Sequence, residues 1–261
     1  MKAIDIMNEL FGLADQGDYA ASCDTCKAGD PNAEVKKVAV SMFATPEVVK
    51  KAKAFGAELL IVHEPTYYNH MDNHSDERIE CAKRKLIEES GITLYRFHDH
   101  PHGTTPDIIA AGMLKNMAFD AEVEYTNVFD LVRLHLNRPL TPLEIAKHIE
   151  DKLGIKHIRV CGAANVKCTK ISGMFGTPGG VLKELQGDDC EVMLTGEVCE
   201  WALAEYVRDA AQLGLNKALL IMGHIGSERD GMKYTTELLK QMHPELEVQY
   251  IECGEVYTYT D

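Results

Sequence analysis

The chain has 261 residues, 45% of them hydrophobic and 26% charged, with a formal net charge of −14. That length and mix suit a soluble globular protein with room for two small α/β lobes, each with its own core. The acidic balance, without any dense Lys/Arg cluster, argues against nucleic acid as the principal partner, and no apolar run approaches the roughly 20 residues that span a bilayer.

In chain order, "MKAIDIMNELFGLADQGD" reads as an amphipathic helix with Ile4, Met7, Leu10 and Phe11 on one face. Asp5 and Glu9 inside its pattern speak against a secretory signal. The eight cysteines therefore read as reduced thiols of a cytoplasmic protein. Cys23-Asp24-Thr25-Cys26 has redox or zinc spacing but no second CxxC and no strand–helix context, so it reads as a loop holding two thiols.

Residues 42–64, "MFATPEVVKKAKAFGAELLIVHE", and 174–197, "MFGTPGGVLKELQGDDCEVMLTGE", share a pattern. Each begins MF-(A/G)-TP, continues with a helical stretch and ends in a short apolar strand closed by a glutamate. A second pair follows in the same order, "ESGITLYRFHDHPHG" (89–103) and "QLGLNKALLIMGHIGSE" (212–228), both strands that run into histidine. Helical patterns precede them at 77–89 and 198–213, and others follow at 105–117 and 229–242. Opening the second half, "TPLEIAKHIEDKL" (141–153) carries a Thr N-cap, Pro at the first helical position and Glu144 in capping-box register. Alternation of this kind predicts βαβ units. The fold expected is two related α/β lobes with largely parallel sheets flanked by helices, a first lobe at 1–126 and a second at 127–261.

Ligands of open α/β sheets bind beyond the carboxyl ends of the strands. Three such ends carry metal-competent side chains: His63 and Glu64; His98, Asp99, His100 and His102; His224 and Glu228. Their shared placement favours ligation for His63, Glu64, His102, His224 and Glu228 and a site shared between the lobes. His98 and His100 fit equally as further ligands, as residues that orient a ligand, or as loop residues. His70 and His74 read as a solvated loop, and His135, His148, His157 and His243 as structural. Imidazole with carboxylate suits Zn, Fe, Mn or Co. Five or more donors exceed one tetrahedral site, so two divalent ions bridged by a carboxylate and a water use them better.

At these strand ends the chain resembles the Nif-three-like dinuclear metal-centre family, also called GTP cyclohydrolase I type 2 homologues. "GDPNAEVKKVAVSMFATPEVVKKAKAFGAELLIVHEP" is similar to the family's first-lobe segment ending in His-His-Pro. "YRFHDHPHG" stands where the family has Tyr-x-x-His-Thr-Asn-Leu-Asp, "LTGEV" and "GHIGSE" resemble its Thr-Gly-Asp/Glu and Gly-His-x-x-Ser-Glu motifs, and "EVQYIECGEVY" its last strand. The resemblance implies metal ligation by His63, Glu64, His102, His224 and Glu228. Two positions depart from the pattern: Glu64 replaces a histidine and His102 replaces an acid, so a histidine and a carboxylate have exchanged places. "CDTC" falls where relatives have Trp-Asp-Asn-x-Gly, and only Asp24 matches. The loop "GTPGG" occupies a Gly-rich family segment, and Tyr67 and Tyr68 replace residues beside the ligands, positions suited to stacking on a ring or walling the site.

The function implied is a dinuclear-metal-dependent hydrolase with a metal-bridged hydroxide as nucleophile and Glu64 or Glu228 as ligand or proton acceptor. The family name alone suggests a purine nucleotide. The alternative is a non-enzymatic metal-binding scaffold, carrier or sensor, and a single ion with Glu64 as general base is a third possibility. The resemblance also implies a ring-shaped homohexamer.

Overall fold

The computed structural model describes residues 1–126, 128 and 131–260; the expected lobe boundary at 126/127 touches residue 127, which lies outside the described residues. In chain order the elements are α1 (Ala3–Phe11), β1 (Cys26–Ala28), β2 (Lys37–Ser41), α2 (Pro46–Phe55), β3 (Leu59–Val62), α3 (Arg78–Ser90), β4 (Thr93–Arg96), α4 (Asp99–His102) and α5 (Ile108–Met117). There follow β5 (Ala121–Tyr125), β6 (Val132–Leu140), α6 (Pro142–Leu153), β7 (Arg159–Gly162), β8 (Cys168–Gly173), α7 (Val181–Gln186) and β9 (Val192–Thr195). A π-helical turn (Glu200–Ala204), α8 (Glu205–Gln212), β10 (Ala218–Ile221), α9 (His224–Met242) and β11 (Glu247–Tyr250) complete the chain. Among the described residues no helix is long and apolar enough to cross a membrane.

The chain forms two compact units, Met1–Ile108 with Met232–Asp261, and Ile109–Gly231. The first holds a five-stranded sheet in the order β1-β4-β3-β2-β11. Strands β4, β3, β2 and β11 run parallel and β1 is an antiparallel edge. Every residue of β3, Leu-Leu-Ile-Val, is buried, as befits a parallel strand covered on both faces. Helix α2 starts where the Thr45 hydroxyl accepts the Val48 N–H at 3.2 Å and Pro46 occupies the first turn, and Gly56 ends it in the left-handed region. Val48, Val49 and Ala52 of α2 and Ile87 of α3 pack with Leu60, Val62 and Leu94 of the sheet. On α1 the buried set is Ala3, Ile6, Met7 and Leu10, with Ile4 and Phe11 only partly covered.

The second unit holds a six-stranded mixed sheet, β5-β6-β8-β9-β10-β7, in which β8, β9 and β10 run parallel and β5, β6 and β7 add antiparallel ladders. Helix α6 has the expected capping box between Thr141 and Glu144 and buries Ile145, Ala146, Ile149 and Leu153 against the sheet.

The internal repeat is visible in both units. β2-α2-β3-α3-β4 and β8-α7-β9-α8-β10 follow the same course with the same strand neighbours, β2 beside β3 beside β4 and β8 beside β9 beside β10. The Met-Phe step leaves the first strand of each repeat in hydrogen-bond contact with the next: the His63 and Glu64 N–H groups donate to the Met42 carbonyl oxygen, and the Met174 N–H to that of Leu194. Residues 232–260, which the sequence pattern attaches to the second lobe, belong to the first unit, and β11 joins its sheet, where Val248 pairs with Val38.

Candidate metal centre

In the first unit, β3 delivers His63 and Glu64, and the short helix α4 with its flanking residue delivers His98 and His102. His63 is fully buried, and its Nδ1 donates to the Phe97 carbonyl oxygen at 2.9 Å. His98 Nδ1 lies 2.9 Å from Asp99 Oδ1, and His102 Nδ1 lies 2.8 Å from Asp107 Oδ2. Each ring is thus held at Nδ1 by a carbonyl or carboxylate, the outer partner that fixes tautomer and orientation in histidine–metal sites. One ligand atom from each of the three residues lies within 4.8 Å of the others. The His63 and His98 rings stack at 4.6 Å, and His102 meets them edge-on at 5.2 and 5.5 Å. Glu64, also buried, sets Oε1 3.9 Å from His63 Nε2 and 4.0 Å from His98 Nε2. Three imidazoles and a carboxylate form a donor set that fits a divalent transition ion.

Electrostatics keep the His98 imidazole available as a donor. Burial lowers the pKa of His98 below the usual histidine value, with the Asp99 hydrogen bond opposing. Burial would raise the Asp99 carboxyl, but hydrogen bonds from His98, Ser22 and the Cys23 N–H prevail and hold it well below the usual carboxylate range. Neutral His98 can therefore donate Nδ1–H to an ionised partner and offer its Nε2 lone pair.

The turn carrying these histidines is clamped by the loop before β1. Asp24 accepts the His98 N–H at 2.6 Å and the His100 N–H at 2.9 Å, and takes His100 Nδ1 at 2.7 Å. In return Asp99 accepts the Ser22 hydroxyl at 2.7 Å and the Cys23 N–H at 3.1 Å. His100 is turned aside by this arrangement and lies between Phe11 and Tyr19, at ring distances of 4.3 and 3.9 Å. Of the two histidines left open by sequence, His98 joins the cluster and His100 serves the scaffold. His70, expected in a solvated loop, is exposed yet has its ring 5.4 Å from that of His98. Cys23 and Cys26 are free thiols whose pKa values burial pushes up, the state of inert cysteines.

In the second unit His224 opens α9 and Glu228 follows one turn later, so the pair shares a helix face, with His224 Nε2 3.1 Å from Glu228 Oε2. Glu197, from the Thr-Gly-Glu turn after β9, lies 2.9 Å from His224 Nδ1, and the Thr177 hydroxyl lies 3.2 Å from the same nitrogen. Gly176, at φ +64°, leaves the room in which Glu228 sits: a Cβ there would stand 2.3 Å from Glu228 Oε1. Its N–H donates to Ser227 Oγ at 2.9 Å, and Glu197 N–H donates to its carbonyl oxygen at 3.0 Å. The GTP, TGE and HIGSE motifs therefore interlock around one imidazole–carboxylate pair.

Asp24, Asp107 and Glu197 were not expected as site residues, and Asp99, read as one of the metal-competent side chains of its strand end, serves as the partner of His98. Asp24 carried a signal, as the one match in its segment to the family pattern; Asp107 carried none, since nothing in the spacing marks a carboxylate five residues past a histidine as its partner.

The chain is similar over most of its length to curated proteins named GTP cyclohydrolase 1 type 2 homolog. It is 25% identical over 218 residues to that of Clostridium perfringens, covering 82% of this chain and 81% of the relative. It is 27% identical over 254 residues to that of Chlamydia pneumoniae, covering 94% and 95%. The crystal structure of a Bacillus cereus protein related to NIF3 shares the fold at a TM-score of 0.77 and 13% identity, covering 100% of this chain and 99% of that one. With the family model matching residues 1–255, the chain belongs to the Duf34/NIF3 (NGG1p interacting factor 3) family.

Proposed function

We propose that the protein is a metal-dependent hydrolase holding two divalent ions, drawn from Zn, Fe, Mn and Co. The observation that carries this reading is the three-imidazole cluster His63, His98 and His102, each ring held at Nδ1, with the buried Glu64 carboxylate beside it. In the second unit His224 and Glu228 supply a second donor pair oriented by Glu197. Ions bound by such donors supply Lewis acidity and a hydroxide nucleophile near neutral pH. The chain's own residues hold the imidazole rings in place at Nδ1, exclude water around His63, and offer Glu64 and Glu228 as ligands or proton acceptors. The relatives' printed name makes a purine nucleotide one candidate substrate. We further infer a cytoplasmic homohexamer acting on a small molecule, which light scattering on the purified protein checks for assembly.

Reconstituted protein is expected to hold two transition-metal ions per chain, and His63→Ala fewer. Less than one ion per wild-type chain would overturn the reading. The loaded protein, screened on nucleotides, phosphodiesters and cyclic amides, is expected to turn over one class, with activity abolished in His63→Ala. Stoichiometric metal without turnover of any class favours the scaffold or carrier reading instead.

A further inference from the structure

A second feature of the first unit lies beside the imidazole cluster and is not explained by metal binding. Lys83, on α3, is only 7% exposed, and its Nζ donates to the Thr66 carbonyl oxygen at 2.6 Å and stands 5.0 Å from the centre of the Tyr68 ring. Among the described residues no carboxylate pairs with it. The nearest acid acting on it, Asp72, is already engaged by the buried Lys27 at 3.2 Å and Arg96 at 3.6 Å. An ammonium removed from water without a counter-ion is costly, and one carbonyl satisfies only one of its three donors. Burial accordingly lowers the Lys83 pKa to about 8.

Two cavities, of 410 and 470 Å³, share Pro46, Tyr68 and Lys83 in their walls. The first adds the flat apolar surfaces of Phe43 and Pro65 beside Thr45, Asn69 and His70; the second adds Arg78 and Lys50, the latter paired with Glu47 at 2.7 Å. Neither is lined by an acidic residue, in a chain of net charge −14. Tyr68, 64% exposed, borders both. Aromatic and proline surfaces beside a cluster of cations suit a flat ring that carries a negative group.

We infer that this groove binds an aromatic anion, its ring against Phe43, Pro65 and Tyr68 and its anionic group on Lys83, with Arg78 in support. His70, in the wall of the first cavity, has its ring 5.4 Å from that of His98, so the bound ring lies next to the imidazole cluster. That the anion is the substrate rests on the hydrolase reading; that it binds does not.

The test uses chelator-treated, metal-free full-length protein and calorimetric titration with 1-naphthyl phosphate and with neutral 1-naphthol. The phosphate is expected to bind at least tenfold more tightly. Lys83→Met and the surface variant Arg78→Gln are each expected to reduce that ratio, and Tyr68→Ala to weaken both compounds alike. Equal affinity for the two compounds, no binding of either, or a ratio unchanged in both cation variants overturns the inference. Because no metal is present, failure here leaves the metal stoichiometry untouched, and a failed metal count leaves this binding intact.

Discussion

Two histidines two residues apart, His98 and His100, have opposite duties, and the difference can be measured. His98→Ala removes one of three converging ring nitrogens and is expected to weaken metal binding by on the order of 100-fold or more, at little cost in stability. His100→Ala empties the stack between Phe11 and Tyr19 and deprives buried Asp24 of a donor. It is expected to cost about 2–4 kcal/mol in chemical denaturation while metal stoichiometry stays unchanged. Lys83 offers a pH test. Its folded pKa is lowered to about 8, so between that pH and its unfolded value the unfolded chain binds more protons, and stability rises with pH across the window. Lys83→Met is expected to be more stable than wild type at pH 7, with the advantage shrinking as pH rises from about 8 toward 10. Equal pH slopes for the two proteins would contradict the assignment. At this scale His63 and Glu64 were legible because a fully apolar strand has no packing reason to end in two polar residues. His98 and His100 were not separable, because only the Asp24 clamp decides which way each ring turns.

Where the repeated motifs differ, the difference has a steric cause. The first repeat carries Ala44, fully buried, in MFATP; the second carries Gly176 at φ +64°. Gly176→Ala would set a methyl group against the Glu228 carboxylate and strain a left-handed residue. It is expected to destabilise the second unit by about 2–4 kcal/mol and to displace Glu228, read as lost thermal stability together with reduced metal content. The course of the elements was legible because turn chemistry and period agree locally: Thr45-Pro46 and Thr141-Pro142 open helices, and Leu59–Val62 and Ala218–Ile221 are apolar runs of strand length. The antiparallel additions to the second sheet were not, since β5, β6 and β7 are placed by long-range pairing that leaves no local mark. His224 and Glu228 were read as a strand end and prove to be the first turns of a 19-residue helix.

Taken whole, the chain is nested: one continuous unit, Ile109–Gly231, is inserted into another whose pieces are Met1–Ile108 and Met232–Asp261. Two core clusters lie within the inserted unit, around Leu134, Ile149, Ile171 and Leu220, and around Leu185, Met193, Val207 and Leu219. Expressed alone, residues 109–231 are expected to unfold cooperatively. Residues 1–108 are not, because without β11 the parallel strand β2 is left as a bare edge. A cooperative transition in the 1–108 fragment would refute this reading. The nesting was hidden from sequence because the pairing of Val248 with Val38 spans nearly the whole chain.

That return has a consequence for biosynthesis. His63, His98 and His102 all leave the ribosome early, yet the sheet beneath two of them lacks its last strand until residues 247–250 emerge. Domains generally fold as units during translation, so the inserted unit, with His224, Glu228 and Glu197, is complete while the first still waits. The three-imidazole cluster therefore reaches its final geometry only once residues 247–250 have emerged, and metal taken up by nascent chains should be found on chains that include them and not on fragments stalled before them.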